Sequence, residues 1–288
     1  MPGESKTAGI ALGVMAYGVF MIHDAGIKTL VLDGIPVWQV LFVRSATVLT
    51  ICLAIGRGSL LRRAVDTPLK RPLAFRGAIN LVAWLCFYSA SGSLPMAQWL
   101  CLYFAGPLMV TVMARHILKE HVARTRWIAV FIGFAGVLCA TDPLGLRPSF
   151  AALLVVSAAA MWGYGIILMR QIARQEPAML QMLATNSVFV VASGFACLVQ
   201  WRAPDASQMW ILAGVSLLGG LAQFLVYETA RLLPASVMST VEYTALPWAF
   251  LLGYLIWNDI PPFAVVLGAG LIAFAGAILV WGERRATR

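Results

Sequence analysis

Long uncharged stretches separated by short charged ones set the pattern of this chain. From Gly77 to Ala114 no residue carries a charge, and the stretch is broken only by Ser91-Gly92-Ser93-Leu94-Pro95. A bilayer core takes about 20 apolar residues per helix, so this block is too long for one span and fits two joined by a tight turn. The other blocks, read the same way, place spans near 7–27, 36–56, 75–92, 94–114, 123–141, 148–169, 178–200, 207–229, 234–257 and 261–281. The pattern predicts an all-α integral membrane protein whose ten transmembrane helices are joined by short segments. No soluble catalytic domain fits in those segments, so the function lies between the helices.

Composition agrees: 61% of the 288 residues are apolar and 11% charged, which excludes a water-soluble globule. The excess of 21 Lys and Arg over 12 Asp and Glu would suggest nucleic acid in a soluble protein, but here the basic residues bunch between apolar blocks, where they anchor and orient helices. If the N-terminus is cytoplasmic, only Lys28, Arg147 and Arg202 fall in outer segments and only Arg44 inside a span; every other Lys and Arg is inner. Both termini are therefore expected on the cytoplasmic side of a cell inner (plasma) membrane. The apolar stretch after Lys6 is longer than a signal-peptide core and lacks a small-residue cleavage site, so it reads as a retained first span. Cys52, Cys86, Cys101, Cys139 and Cys197 lie within apolar blocks without metal-ligand spacing, which points to packing rather than to disulfides or a metal.

The halves repeat. Ile132-Gly133-Phe134-Ala135-Gly136-Val137 returns as Ile272-Ala273-Phe274-Ala275-Gly276-Ala277, Tyr88 with Leu94-Pro95 returns as Tyr227 with Leu233-Pro234, and Pro107 returns as Pro247. The expected units are 1–144 and 145–288, five spans each. Five is odd, so the second copy lies upside down relative to the first, the arrangement from which many secondary transporters build two gates about a midplane site.

The five-plus-five order, the Leu-Pro that opens spans four and nine, the mid-helix Pro107 and Pro247, Glu120 after span four and the Phe-Ala-Gly that closes each half resemble the drug/metabolite transporter superfamily with tandem EamA domains, most closely the YddG group of amino-acid exporters. The resemblance covers nearly the whole chain. It implies two inverted five-helix repeats around a central cavity and export of amino acids, aromatic and other neutral ones included. The halves depart from equivalence at Asp259, which stands after span nine where span four has Glu120, and at Asn186, which stands in span seven near the place of Arg44 in span two.

Several residues could carry transport. Asn80, Trp84 and Tyr88 share one stripe of span three, and the repeat sends that stripe to Gly219, Gln223 and Tyr227 on span eight. Polar groups avoid lipid, so both stripes should face a cavity or a neighbouring helix; interhelical hydrogen bonding is the alternative to cavity lining. Pro107 and Pro247 cannot donate to the carbonyls of Tyr103 and Tyr243, and so kink spans four and nine as hinges or as static bends. Glu242 and Arg44 are charges embedded in the membrane, either a proton-coupling carboxylate and a structural cation or partners of each other. His23 and Asp24 close the outer end of span one with Lys28 a turn further on, a spacing normal for a solvated helix end, with an outer gate as the other reading. Tyr17 and Trp162 stand beside Gly18 and Gly163 at matching places, and Trp248 follows Pro247; all three are candidates to line the centre together with Tyr103 and Tyr243.

No hydrolase, phosphate-binding or metal motif accompanies these residues, so no enzyme activity and no cofactor is expected. The expected partners are a small amphipathic solute and the bilayer, with a monomer sufficient and an oligomer left open. The reading is a secondary-active or facilitative carrier working by alternating access. A proton-coupled exporter of drugs or other cations is the alternative, and an intramembrane enzyme the remote one.

Overall fold

In a computed structural model the chain is a helical bundle, described over residues 2–117, 124–141, 149–173, 175–233, 238 and 241–286. Its helices are α1 (Pro2–Leu32), α2 (Val37–Asp66), α3 (Lys70–Ser91), α4 (Met96–Tyr103), α5 (Ala105–Ile117), α6 (Arg124–Thr141), α7 (Phe150–Ala173), α8 (Ala178–Cys197), α9 (Ala206–Leu232), α10 (Ala245–Trp257) and α11 (Phe263–Ala286). Together α4 and α5 form span four, α10 is the second part of span nine, and every other helix is one span. Glu120, Arg147 and Pro234 lie outside the described residues. Among the described residues, α1 over Ala8–Leu32, α2, α3, α7, α8 and α9 are long and apolar enough to cross a bilayer unaided. Large apolar side chains such as Phe131, Phe195, Leu198, Leu255 and Phe263 stand on the outside of the bundle, as a surface solvated by lipid requires.

Local chemistry sets the helix ends. Pro36, Pro95 and Pro177 occupy the N-cap positions of α2, α4 and α8, where no intrahelical N–H is needed. Asp205 caps α9 reciprocally: its carboxylate accepts from the Gln208 N–H at 2.8 Å and its own N–H donates to Gln208 Oε1 at 3.0 Å. The membrane-crossing part of α2 ends at Arg57, whose positive φ of 48° breaks the helix one residue past the predicted end of that span.

Helices of one half pack chiefly on helices of the other, and the pattern survives exchange of the halves. α1 lies against α9 as α7 lies against α3, α2 lies against α9 as α8 lies against α3, and the pairs α2–α8, α4–α10 and α6–α11 each join a helix to its own counterpart. This is the two-fold relation of an inverted duplication.

Two matched contacts tie the ends of α2 and α8. Past the end of α8, Arg202 Nη1 donates to the Asp33 carbonyl in the α1–α2 turn at 2.9 Å, while Gln39 exchanges hydrogen bonds with the Arg202 backbone. At the other end, Arg63 Nη2 donates to the Gln175 carbonyl in the α7–α8 turn at 3.2 Å and Arg63 Nε to Glu176 at 2.7 Å. Gly34 makes the first contact possible: its φ is +82°, and a Cβ there would stand 2.2 Å from Arg202 Nη1.

Candidate functional site

Five spans line a central cavity in which about 50 Å³ is open to the centre of a water molecule. Helical spacing puts each wall on one face: Tyr17, Phe20, Met21 and Asp24 from α1, Ala83, Trp84, Phe87 and Tyr88 from α3, Leu100, Tyr103 and Phe104 from α4, Ala158 and Trp162 from α7, with Glu242 and Ala245 from span nine. The walls are dominated by rings, Phe87 stacked on Trp99 at 4.1 Å and Trp84 edge-on to Tyr88 at 5.4 Å. Tyr17 Oη and Glu242 Oε2 are buried polar atoms on this cavity without a close hydrogen-bond partner among the described residues, and the Trp162 indole N–H is turned toward the Glu242 carboxylate. Buried polar atoms are nearly always satisfied, so orphans facing one cavity mark a place that water or a bound solute completes.

A second, tighter cavity adjoins the first and shares Phe20, Trp84 and Trp162 with it. Its polar wall is Arg44, Asn80, Thr185, Gln223 and Tyr227. Arg44 is 1% exposed, with its guanidinium 4.2 Å above the Trp84 ring, a contact worth about 2 kcal/mol where both groups are desolvated. Arg44 Nε donates to His23 Nε2 at 3.1 Å, and Nη2 to the Gly219 carbonyl at 3.2 Å and to Gln223 Oε1 at 3.5 Å. A guanidinium cannot accept, so His23 carries its proton on Nδ1 and donates it to Asp24 Oδ1 at 2.9 Å, which also accepts from Tyr88 Oη at 2.7 Å. On the far side Asn186 Nδ2 donates to Gln223 Oε1 at 3.1 Å, Gln223 Nε2 donates to Tyr227 Oη at 3.0 Å, and Tyr227 Oη meets Thr185 Oγ1 at 3.4 Å. Arg76 ends the series, stacked 4.7 Å over the Tyr227 ring and donating to Thr185 and to the Gly165 carbonyl.

The structure distributes the predicted residues unevenly. Tyr17, Trp84, Tyr88, Tyr103, Trp162, Asp24 and Glu242 line the central cavity; Asn80, Gln223, Tyr227 and Arg44 line the second, which Trp84 and Trp162 also border. Trp248 is not a wall residue. It is 42% exposed, because the buried stripe of α10 runs through Ala245, Ala249 and Gly253 and leaves position 248 on the flank. Tyr243 is buried but turned to α11, where Gly276 leaves a notch for its ring; a Cβ on Gly276 would stand 2.6 Å from that ring.

Arg44 and Glu242 are not partners, since the guanidinium is committed to His23, Gly219 and Gln223. Nor do His23, Asp24 and Lys28 form a solvated helix end: all three are buried, and Lys28 Nζ donates to the Leu94 carbonyl at 2.6 Å and lies over the Trp257 ring. Both helix breaks fall just before the prolines, at Phe104 and at Tyr243–Thr244. Sequence reasoning missed Arg76, which looked like a membrane-edge anchor although α3 begins at Lys70 and buries it to 1%. It also missed Phe20 and Phe87, whose apolar letters carry no sign that they face a cavity.

A bundle of membrane-spanning helices in two inverted halves, packed around an aromatic cavity with orphaned polar atoms, has the architecture of a membrane transporter. The chain belongs to the EamA-like transporter family, whose model matches residues 8–141 and again 149–282. It is 26% identical to a riboflavin transporter of Brucella anthropi over 89% of this chain and 90% of that one. It is 23% identical to a riboflavin transporter of Vibrio cholerae over 74% of this chain and 72% of that one. With an S-adenosylmethionine uptake transporter of Rickettsia bellii it shares 23% identity over 64% of this chain and 63% of that one. A solved structure at 16% identity superposes with a TM-score of 0.74, covering 98% of this chain and 99% of that one, and so shares the fold.

Proposed function

We propose that this protein is an alternating-access carrier that exports small metabolites, amino acids first among them, aromatic and other neutral ones included. The observation that carries the reading is the central cavity itself, where Tyr17 and Glu242 present unsatisfied polar atoms among packed rings. Rings recognise the flat face of a solute, and a carboxylate beside them recognises an ammonium or other cation. The relatives named for riboflavin and S-adenosylmethionine extend the candidates to larger fused rings on the same grounds. Export follows from the resemblance to the YddG group; the Rickettsia relatives are named for uptake, so direction is part of the test. The proposed halves are 1–144 and 145–288, with both termini in the cytoplasm of an inner-membrane protein.

A second reading is favoured by Glu242 alone: a carboxylate with no hydrogen-bonded cation among the described residues suits exchange of a proton for a cationic compound. The experiment is flux in proteoliposomes of both orientations, for aromatic and neutral amino acids, riboflavin, S-adenosylmethionine and lipophilic cations, with and without a pH gradient. Saturable amino-acid flux is expected, reduced at least about tenfold in Glu242→Gln, the cost of one charge-assisted hydrogen bond. Flux of cations alone, dependent on the gradient and abolished in Glu242→Gln, would defeat the amino-acid reading. No saturable flux of any of these solutes would defeat both.

A further inference from the structure

The two adjoining cavities are opposite in electrostatic character. The central one holds both carboxylates, Asp24 and Glu242, and no cation; the second holds Arg44 and no carboxylate. Its wall offers donors from five helices: Arg44 of α2, Asn80 of α3, Trp162 of α7, Thr185 of α8 and Tyr227 of α9. Two of these retain unused capacity. No acceptor is matched to Arg44 Nη1 among the described residues. Asn80 Oδ1 is orphaned although the residue is only 2% exposed, and its amide can turn its NH2 to the same side without changing shape. The nearest carboxylate, Asp24, is kept from Arg44 by the intervening His23 ring.

We propose that the second cavity is an anion subsite that takes the carboxylate of the transported solute at Arg44, while its ammonium faces Glu242 and its ring lies between Phe20, Trp84 and Trp162. The inference rests on reading the central cavity as the transport site and narrows the solute to a zwitterion of the α-amino-acid type. Such a solute brings no net charge into the bundle, and its two charges meet the two polarities already built there. A neutral ring compound such as riboflavin leaves the guanidinium unanswered. The second cavity admits the centre of about one water, with about 10 Å³ open at that width. A carboxylate therefore enters as Trp84 or Trp162 moves, and those rings are the partition between the two spaces.

The test is calorimetric binding to purified full-length protein with ligands that share one ring: tryptophan, tryptamine and indole-3-propionate, and with S-adenosylmethionine and riboflavin as larger rings with and without a carboxylate. Wild-type protein should bind tryptophan more tightly than either single-charge analogue. Arg44→Gln should weaken tryptophan at least about tenfold and leave tryptamine within about twofold, the loss of one charge-assisted contact. Because Arg44→Gln also strips partners from His23 and Gln223, Asn80→Asp serves as a second variant: it keeps Arg44, places a carboxylate on the same wall, and should selectively weaken the carboxylate-bearing ligands. If both variants change tryptophan and tryptamine by the same factor, or if riboflavin binds as well as the zwitterions or alone, the subsite is overturned and the cavity reading stands. If none of the five ligands binds, both fall together.

Discussion

Gly219 holds open the space in which Arg44 and His23 meet: a Cβ there would stand 2.5 Å from Arg44 Nε and 2.6 Å from the His23 ring. Gly219→Ala should destabilise the protein by about 1–3 kcal/mol, the usual cost of overpacking a filled core, and lower its melting temperature in detergent. An unchanged melting temperature would show that Arg44 has another resting place. Gly219 was legible in sequence only as the repeat partner of Asn80; that its missing side chain admits an arginine from α2 depends on the α2–α9 packing, which no local pattern encodes. Residue choice failed for the same physical reason at Asp24 and Lys28. Their spacing suits a local ion pair, but long-range partners are nearer to ideal geometry, the Tyr88 hydroxyl for one and the Leu94 carbonyl for the other. The stripe of Asn80, Trp84 and Tyr88 was legible because polar groups in a lipid-bound helix must turn inward.

At the scale of the helix, the breaks before Pro107 and Pro247 are what the sequence predicts, since a proline removes the donor for the carbonyl four residues earlier. In the second half the backbone turns more tightly there, with the Leu246 N–H reaching the Tyr243 carbonyl at 3.1 Å and the Thr244 hydroxyl bonding the Val241 carbonyl at 2.7 Å. If these breaks bend during transport, replacing both prolines by Ala should slow turnover several-fold in proteoliposomes while equilibrium binding stays within about twofold. Full turnover in the double variant would make them static bends. Some span limits were readable from the cost of a charge in lipid, as at the break at Arg57, whereas α1 runs on to Leu32 and α3 already begins at Lys70, beyond the predicted limits. The position of Arg76 was not, because a cation near a span end looks alike whether it faces lipid headgroups or the bundle interior.

The whole molecule pairs counterpart with counterpart, yet the pairs are not equally tied. α2 and α8 carry polar contacts at both ends through Arg63 and Arg202, whereas α4 and α10 meet mainly through close packing, with Met96 Cβ 3.5 Å from where a Cβ on Gly253 would lie and one long hydrogen bond, 3.4 Å, from the Met96 N–H to Asp259. In a variant freed of its five natural cysteines, Met96→Cys with Gly253→Cys is close enough for a disulfide. Oxidation should arrest transport and reductant restore it, while a thiol cross-linker joining Gln39→Cys to Arg202→Cys should leave flux unchanged. Flux that survives the first cross-link would place the motion elsewhere. In the proposed alternating-access cycle the fastened pair is the spine of a book whose covers are the remaining helices, and a solute would pass as the pages part first on one side and then on the other.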